Sequence, residues 1–302
     1  MSTSNAFKIF DTVVVPAICY GSEVWGYEYS ETIERVQLKF CRYLLGVNSS
    51  VSRHAILGEC GRLPLCCIYF KRCISYWIKL LGMENNRYPK ACYNMLKSLD
   101  DAGRNTWASH IKKLLFRYGF GTVWIEQQVG NPTYFLNLFS QRIRDCYQQE
   151  WHYEITTSSQ LSLYCQFKSL LEPEKYLNNL NYNCKCTLAN FRCSSHKLNN
   201  VIGRHLKLPL RQRICIYCKN VRNIEVVENE FHFVLICPLY EDIREEYIPT
   251  FFRTYPSNDK LLTMLSSRNM NTIYQLSKYL CKAFKRREEI VPDLFGNIQP
   301  LL

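Results

Sequence analysis

The sequence predicts a mostly α-helical protein, in which a helical array is followed by a small module around a Cys/His motif and then by C-terminal helices. Apolar residues recur at the helical period along most of the chain, and Gly or Pro stands where these stretches end. Strand-type alternation of apolar and polar residues is hard to find anywhere. The 302 residues and the 47% hydrophobic content suit a folded chain of about two domains.

The first clear helix is predicted over residues 31–45, where apolar side chains repeat at the helical spacing. Ser30 can cap its N-terminus and Gly46 can end it. A second helix is predicted over 65–81, with Pro64 near its start. Cys66, Cys67 and Cys73 lie inside this second helix, and we expect them to pack in the core.

Further helices follow from the same period and from similar boundary residues, and they cover 107–118, 135–151, 159–171, 241–247 and 271–287. The only Asp-Asp pair, Asp100-Asp101, follows a predicted helix and has no hairpin around it. We therefore expect these two residues to lie in a loop without a catalytic role.

Lys and Arg total 38 against 26 acidic residues, a formal charge of +12, which favours an anionic partner, most often nucleic acid and less often a membrane surface. No Asp or Glu occurs between Glu174 and Glu225. A solvated face would explain this composition, but an anion-binding surface is favoured. The candidate nucleic-acid-binding residues are Arg192, His196, Lys197, Arg204, Lys207, Arg211, Arg213, Lys219 and Arg222.

The acid-free segment leads into a C-x2-C-x13-H-x4-C motif formed by Cys215, Cys218, His232 and Cys237. A Cys-x-x-Cys turn presents two thiolates on one side of a loop, and a distant His and Cys can complete a tetrahedron around Zn²⁺. Four protein ligands leave no open position, which favours a structural site over a catalytic one. Packing cysteines and a core histidine would be the alternative in a chain with 16 Cys.

His232 and Cys237 are five residues apart, so a straight α-helix would place them on different faces. The segment must therefore bend near Cys237, and the following Pro238 is consistent with a bend. The sequence predicts that this region is a zinc-stabilised module.

The remaining cysteines are expected to act mostly as small buried hydrophobes, because we expect no secretory leader and hence a reducing, nuclear or cytoplasmic compartment. No apolar run is long enough to span a bilayer, so we expect no membrane partner, and no small-molecule substrate is predicted. A second metal group at Cys184, Cys186, Cys193 and His196 is one interpretation of these residues. Packing cysteines and a surface histidine are the favoured interpretation.

Two blocks of the sequence resemble a known family. The first is Val-Pro-Ala-Ile-Cys-Tyr-Gly-Ser-Glu-Val-Trp at 15–25, followed by Ile-Glu-Arg-Val-Gln-Leu-Lys-Phe at 33–40. The second comprises Phe-Arg-Cys-Ser-Ser-His-Lys-Leu at 191–198, Gly-Arg at 203–204, Arg-Ile-Cys-Ile-Tyr-Cys at 213–218, Glu-Phe-His-Phe at 230–233 and Cys-Pro-Leu-Tyr at 237–240. Together they resemble the region downstream of the reverse transcriptase in LINE-type, non-LTR retrotransposon polyproteins, including its C-terminal zinc knuckle.

The resemblance covers nearly the whole chain and implies a division into four parts. These are a thumb-like helical segment after a missing polymerase palm (1–60), a helical connector (61–174), a basic segment with the zinc module (175–245) and a helical tail (246–302). RNA or a nicked DNA–RNA intermediate is the implied target. The stretch before Gly203 often carries an acidic residue in the family, whereas Asn199 and Asn200 stand here.

The resemblance does not supply catalysis, because a reverse transcriptase holds two metal ions with carboxylates on a hairpin and far upstream. The expected function is therefore a non-catalytic, zinc-containing nucleic-acid-binding fragment, and not an enzyme. A helical protein-interaction scaffold with a purely structural zinc site is the first alternative. The C-terminal portion of an active RNA-directed DNA polymerase is the second.

Overall fold

The computed structural model describes residues 2–290 of the chain. Within these residues the protein is helical, with one isolated antiparallel bridge between Ile214 and Val227 and no β-strand. The α-helices are α1 Thr3–Ile9, α2 Val15–Ile18, α3 Ser22–Trp25, α4 Glu31–Leu45, α5 Arg53–Cys60, α6 Cys66–Leu81, α7 Tyr88–Asp101, α8 Trp107–Arg117, α9 Gly121–Glu126, α10 Pro132–Thr157, α11 Tyr164–Phe167, α12 Tyr176–Asn179, α13 Tyr182–Arg192, α14 Asn199–His205, α15 Ile216–Arg222, α16 Glu241–Tyr247, α17 Thr250–Arg253, α18 Asn258–Leu265 and α19 Met270–Ile290.

Shorter helical turns complete the secondary structure. Phe10–Val14 and His232–Ile236 are π-helical, and 3₁₀ turns cover Ser159–Leu161, Leu210–Gln212 and Pro238–Tyr240. The predicted fold class is confirmed, because a helical array precedes the Cys/His motif and helices α16 to α19 follow it. None of the helices in this described part of the chain combines the length and the apolar character that a bilayer crossing requires.

Most predicted helices are confirmed. The predictions over 31–45 and 241–247 coincide with α4 and α16. Those over 65–81, 107–118, 135–151 and 271–287 correspond to α6, α8, α10 and α19. Apolar periodicity and boundary residues were sufficient here because both signals are local in sequence.

The helix predicted over 159–171 is wrong. Only Ser159–Leu161 and the single turn α11 are helical, and Lys168 has an extended backbone. The Lys168 ammonium lies 2.7 Å from the Glu172 carbonyl oxygen and 2.6 Å from Glu174 Oε1, and the side chain is 5% exposed. These contacts hold a non-helical backbone that apolar spacing alone does not predict.

The loop predicted at Asp100-Asp101 is also wrong, because both residues belong to the last turn of α7. Asp101 pairs with Lys97 at 2.9 Å and Asp100 with Lys112 at 3.2 Å. A hydrogen bond from Ser109, together with the Lys112 ammonium, lowers the pKa of Asp100. Both carboxylates thus have structural partners at a helix C-terminus.

The chain forms two compact units, of which the first comprises residues up to Phe40 together with Arg62–Tyr153. Its core centres on α6, whose Tyr69, Cys73 and Trp77 are fully buried. The buried Glu34 carboxylate accepts hydrogen bonds from the backbone N–H groups at the start of α6. The acid therefore satisfies donors that a helix N-terminus leaves without intrahelical partners.

The second unit comprises Cys41–Gly61 and the chain from Glu154 onward. Helix α13 packs against α19 at its centre, and α5 is buried over almost its whole length. The buried face of α19 carries residues at the helical period, namely Ile273, Leu276, Leu280, Ala283 and Arg287. The four parts expected from the family resemblance stay a prediction, because compactness does not test their roles.

Candidate metal centre

The first two predicted ligands lie at the start of α15. Cys215 occupies the N-cap position with an extended backbone, and Cys218 follows in the first turn. The Cys215 N–H donates to the Val226 carbonyl at 2.8 Å, and the Ile224 N–H donates to the Cys218 carbonyl at 3.1 Å. The chain thus turns back after α15, aided by the left-handed Asn223, and returns beside the Cys-x-x-Cys turn.

The other two ligands lie at the ends of the π-turn His232–Ile236. The Cys237 N–H donates to the His232 carbonyl at 2.7 Å, an i→i+5 hydrogen bond. This wider turn brings residues five apart to the same side, which a straight α-helix does not do. The expected bend is confirmed, because the backbone becomes extended at Cys237.

The four side chains converge into one buried cluster that could hold a metal ion. Their donor atoms all lie within 4.8 Å of one another. Cys237 Sγ is 3.9 Å from both Cys215 Sγ and Cys218 Sγ, and Cys218 Sγ is 3.4 Å from His232 Nε2. The donor set is three sulfurs and one imidazole nitrogen, which suits borderline-soft transition metals.

The cysteine thiols of the cluster lie close enough to shift one another's pKa values. A hydrogen bond from Cys237 lowers the pKa of Cys215 to about 4 and raises that of Cys237, while burial raises the pKa of Cys218 to about 11. A bound cation would take the place of the remaining protons, because thiolates rather than thiols are metal ligands.

Two buried side chains hold the π-turn in place. Arg244 donates to the Val234 carbonyl at 2.9 Å and to the Cys237 carbonyl at 2.6 Å. The Tyr279 hydroxyl donates to the Phe233 carbonyl at 2.6 Å. These contacts satisfy carbonyls that the wide turn leaves free, and they connect the cluster to α16 and α19.

A third support is the buried ion pair between Glu228 and Arg287, at 2.8–2.9 Å. Glu228 also accepts from the Asn199 N–H at 2.8 Å, and Arg287 donates to Asn199 Oδ1 at 3.2 Å. Asn199 therefore contacts both members of this ion pair. Sequence reasoning missed Glu228, although it is one of the few acids between the predicted metal ligands.

Two predicted nucleic-acid-binding residues are instead buried against carboxylates. Arg192 is 1% exposed and donates to Glu59 Oε2 at 2.9 Å, and His196 Nε2 lies 3.2 Å from Glu230 Oε1. Burial raises the pKa of Glu230, but the His196 contact, a backbone hydrogen bond and the Arg204 charge together bring it below its usual value. Both side chains are buried and face carboxylates, and the expected surface position of His196 is wrong.

Two further residues that were predicted to bind nucleic acid donate hydrogen bonds to backbone carbonyls. Arg213 donates to the Leu208 carbonyl at 2.6 Å and 2.9 Å, and Arg204 donates to the Gln160 carbonyl at 3.2 Å. A Cβ at Gly203 would lie 2.5 Å from Arg213 Cγ, so the Gly allows the Arg213 stem to pack against α14. Both arginines are half-buried and serve the module's structure.

The other five predicted residues are exposed. Lys197 pairs with Glu288 at 3.4 Å and Lys219 with Glu225 at 3.0 Å. The three that have no side-chain partner among the described residues are Lys207, Arg211 and Arg222. Lys207 and Arg211 precede α15, and Arg222 is its last residue. Without an ion-pair partner, these three are the strongest remaining candidates for phosphate contacts.

The second candidate metal group, Cys184, Cys186, Cys193 and His196, does not form a cluster of possible metal ligands within residues 2–290. Among residues 2–290, the cluster at Cys215, Cys218, His232 and Cys237 is the one group whose geometry could hold a metal ion. Cys184 and Cys193 are buried, Cys186 is half-buried, and burial raises the pKa of Cys193. The packing interpretation of these cysteines is supported.

Comparison with known proteins gives no relative from which identity can be taken. No protein-family model, no curated protein and no solved structure matches this chain.

Proposed function

We propose that the cluster binds Zn²⁺ as a structural ion. A zinc tetrahedron with sulfur at about 2.3 Å has S···S edges of about 3.8 Å and an S···N edge of about 3.6 Å. The measured separations are 3.9 Å for two sulfur pairs and 3.4 Å for the sulfur–nitrogen pair. Three of the six donor separations therefore match the edges of the required tetrahedron, and all six are within 4.8 Å. Four protein donors would leave no position for a substrate.

The zinc module is proposed to bind nucleic acid, with RNA or a nicked DNA–RNA intermediate as target. The observation that carries this function is the group of three exposed cations without carboxylate partners on an acid-free segment, namely Lys207, Arg211 and Arg222. Lys and Arg neutralise phosphates and release counterions, and such contacts position a strand without reading its sequence.

Exposed apolar side chains accompany these cations. Leu210, Val221 and Ile224 are 59%, 60% and 54% exposed. The same side chains favour the alternative function, a protein-interaction scaffold in which zinc only stabilises the fold.

The proposed origin is the post-polymerase region of a LINE-type polyprotein, and the proposed compartment is nuclear or cytoplasmic. All sixteen cysteines are free thiols, which suits a reducing environment.

We expect no polymerase activity from this chain alone. Asp100, which belongs to the one Asp-Asp pair, is held by Lys112 at a helix end, away from any hairpin. Primer extension with Mg²⁺ or Mn²⁺ should give no product. Extension that Asp100→Asn abolishes would contradict this expectation and favour the interpretation as part of an active polymerase.

The phosphate contacts predict a specific salt dependence. We expect the combined change Lys207→Gln, Arg211→Gln and Arg222→Gln to flatten the log–log salt slope for single-stranded RNA by about two units, at about 0.7 per contact. Binding should weaken for every sequence alike, because phosphates carry no sequence information. Affinity measured across a salt series tests this, and metal content should not change because none of the three is a ligand.

A matched variant controls for net charge. Lys8, Lys71 and Lys79 are exposed lysines of the first unit, and changing all three to Gln removes the same charge elsewhere. The slope should then stay within about half a unit of the wild-type value. Equal slopes for both triple variants would remove the module surface from the binding site and favour the scaffold.

A further inference from the structure

A polar cavity of about 200 Å³ lies in the second unit, and none of its lining residues belongs to the Cys/His cluster. It is enclosed by the extended segment after α11, by Arg192 of α13 and by the turn between α18 and α19. Its lining contains four basic side chains and two acidic ones. The basic residues are Lys168, Lys175, Arg192 and Arg268, and the acidic ones are Glu172 and Glu174.

The inner charges of this cavity are already compensated. Glu174 Oε1 accepts from Lys168 Nζ at 2.6 Å and lies 3.0 Å from Arg192 Nη2. Arg192 also contacts both oxygens of Glu59, which is fully buried behind it. Two cations therefore face two carboxylates, and the remaining donors of Arg192 are taken up by Glu59 and by the Leu265 carbonyl.

The outer charges are not compensated in this way. Lys175 and Arg268 line the cavity, are exposed, and have no side-chain partner among residues 2–290. Glu172 is an exposed carboxylate at the rim. The four cations of the lining thus face three carboxylates, those of Glu172, Glu174 and Glu59, which leaves one positive charge in excess. An anion entering this cavity would meet the uncompensated charges of Lys175 and Arg268. The inner ion pairs behind them carry no net charge.

Hydroxyl donors complete the lining. Ser266 and Ser267 both line the cavity, and Ser267 Oγ accepts from the Asn269 N–H at 3.2 Å, so its own proton is available to donate. A guanidinium donates two parallel hydrogen bonds to a phosphate, and an ammonium and hydroxyls can contact its other oxygens. Tetrahedral oxyanions use donors from several directions, and the cavity is lined by an ammonium, a guanidinium and two hydroxyls.

We propose that this cavity binds the phosphate group of a phosphate monoester. A cavity of this size admits a terminal phosphate, whereas the interior of a continuous strand requires an open groove. The group can come from a free nucleotide or from the phosphorylated end of a strand. Only the strand-end source rests on the proposed nucleic-acid-binding function.

The test uses the full chain with Lys175→Gln and Arg268→Gln combined. Titration with uridine 5′-monophosphate, with uridine as the ligand that lacks phosphate, measures the free monoester. We expect the double variant to bind the nucleotide about tenfold more weakly or worse, because it loses two charge-assisted contacts. Fold loss is not expected, since both side chains are exposed and unpaired.

A second arm measures a 5′-phosphorylated strand against the same strand with a 5′-hydroxyl. A preference for the phosphorylated strand that the double variant abolishes identifies the strand end as the source. Lys8→Gln with Lys71→Gln removes the same charge from exposed lysines of the first unit and should leave nucleotide binding and this preference unchanged.

The outcomes separate the two proposals. Nucleotide binding that depends on Lys175 and Arg268 would stand even if the zinc module showed no salt-dependent strand binding. If the double variant changes neither nucleotide binding nor the phosphorylated-strand preference, the cavity is not a phosphate site.

Discussion

Changing Cys215 and Cys218 together to serine should remove the bound metal and unfold the chain around residues 215–240. Binding of structural zinc can contribute roughly 10 kcal/mol or more to local folding, since the ligands are not assembled in the unfolded chain. All four side chains of the cluster are buried, and the two changes remove two of its four donors. Elemental analysis should give about one zinc per wild-type chain and none for the variant. Hydrogen exchange should report lost protection in α15 and the π-turn.

A matched control changes two cysteines outside the cluster. Cys92 is exposed and Cys165 is half-buried, and neither belongs to the metal-binding group. Their combined change to serine should keep the full zinc content and the protection of the π-turn. Zinc retained in full by the Cys215→Ser, Cys218→Ser variant would refute the ligand assignment.

The sequence was informative where the governing signal is local. Residues 31–45 have a cap, a period and a terminating glycine, and α4 begins and ends as predicted. The Cys-x-x-Cys spacing likewise identified a turn that the structure places at the N-terminus of α15. In contrast, 159–171 has an apolar period, but its backbone is fixed by Lys168 and Glu174 and is not helical.

The metal cluster shows an intermediate case. The spacing of His232 and Cys237 excluded a straight α-helix and required a bend. It did not specify that the bend would be a π-turn with an i→i+5 hydrogen bond. The supports of this turn, Arg244 and Tyr279, come from later helices, and nothing in the motif itself indicates them.

The basic segment shows what composition cannot predict. The absence of acids between Glu174 and Glu225 indicated uncompensated charge, yet Arg192 is paired with Glu59, 133 residues earlier. Local charge counting does not detect a partner at that separation. Among the nine candidate binding residues, Lys207, Arg211 and Arg222 are exposed and have no ion-pair partner within residues 2–290, so they stay the proposed phosphate contacts.

Replacing Arg192 by leucine should cost the second unit about 3–5 kcal/mol of unfolding free energy. The change leaves the Glu59 carboxylate, which is 0% exposed, without its charged partner. Tyr176 would still donate to Glu59 at 2.5 Å, but a neutral donor cannot offset a buried charge. The double change Arg192→Leu and Glu59→Leu should recover part of the loss, because it removes the buried charge as well.

Denaturant unfolding of the wild type, both single variants and the double variant measures the coupling between the two residues. Lys197→Leu is the matched control, since its ion pair with Glu288 is 64% and 61% exposed and should be worth at most about 1 kcal/mol. If Arg192 instead contacted a phosphate, its removal would flatten the salt slope of nucleic-acid binding and leave stability near that of the Lys197 variant. A destabilisation no larger than that of Lys197→Leu would therefore overturn the buried ion pair and return Arg192 to the binding surface.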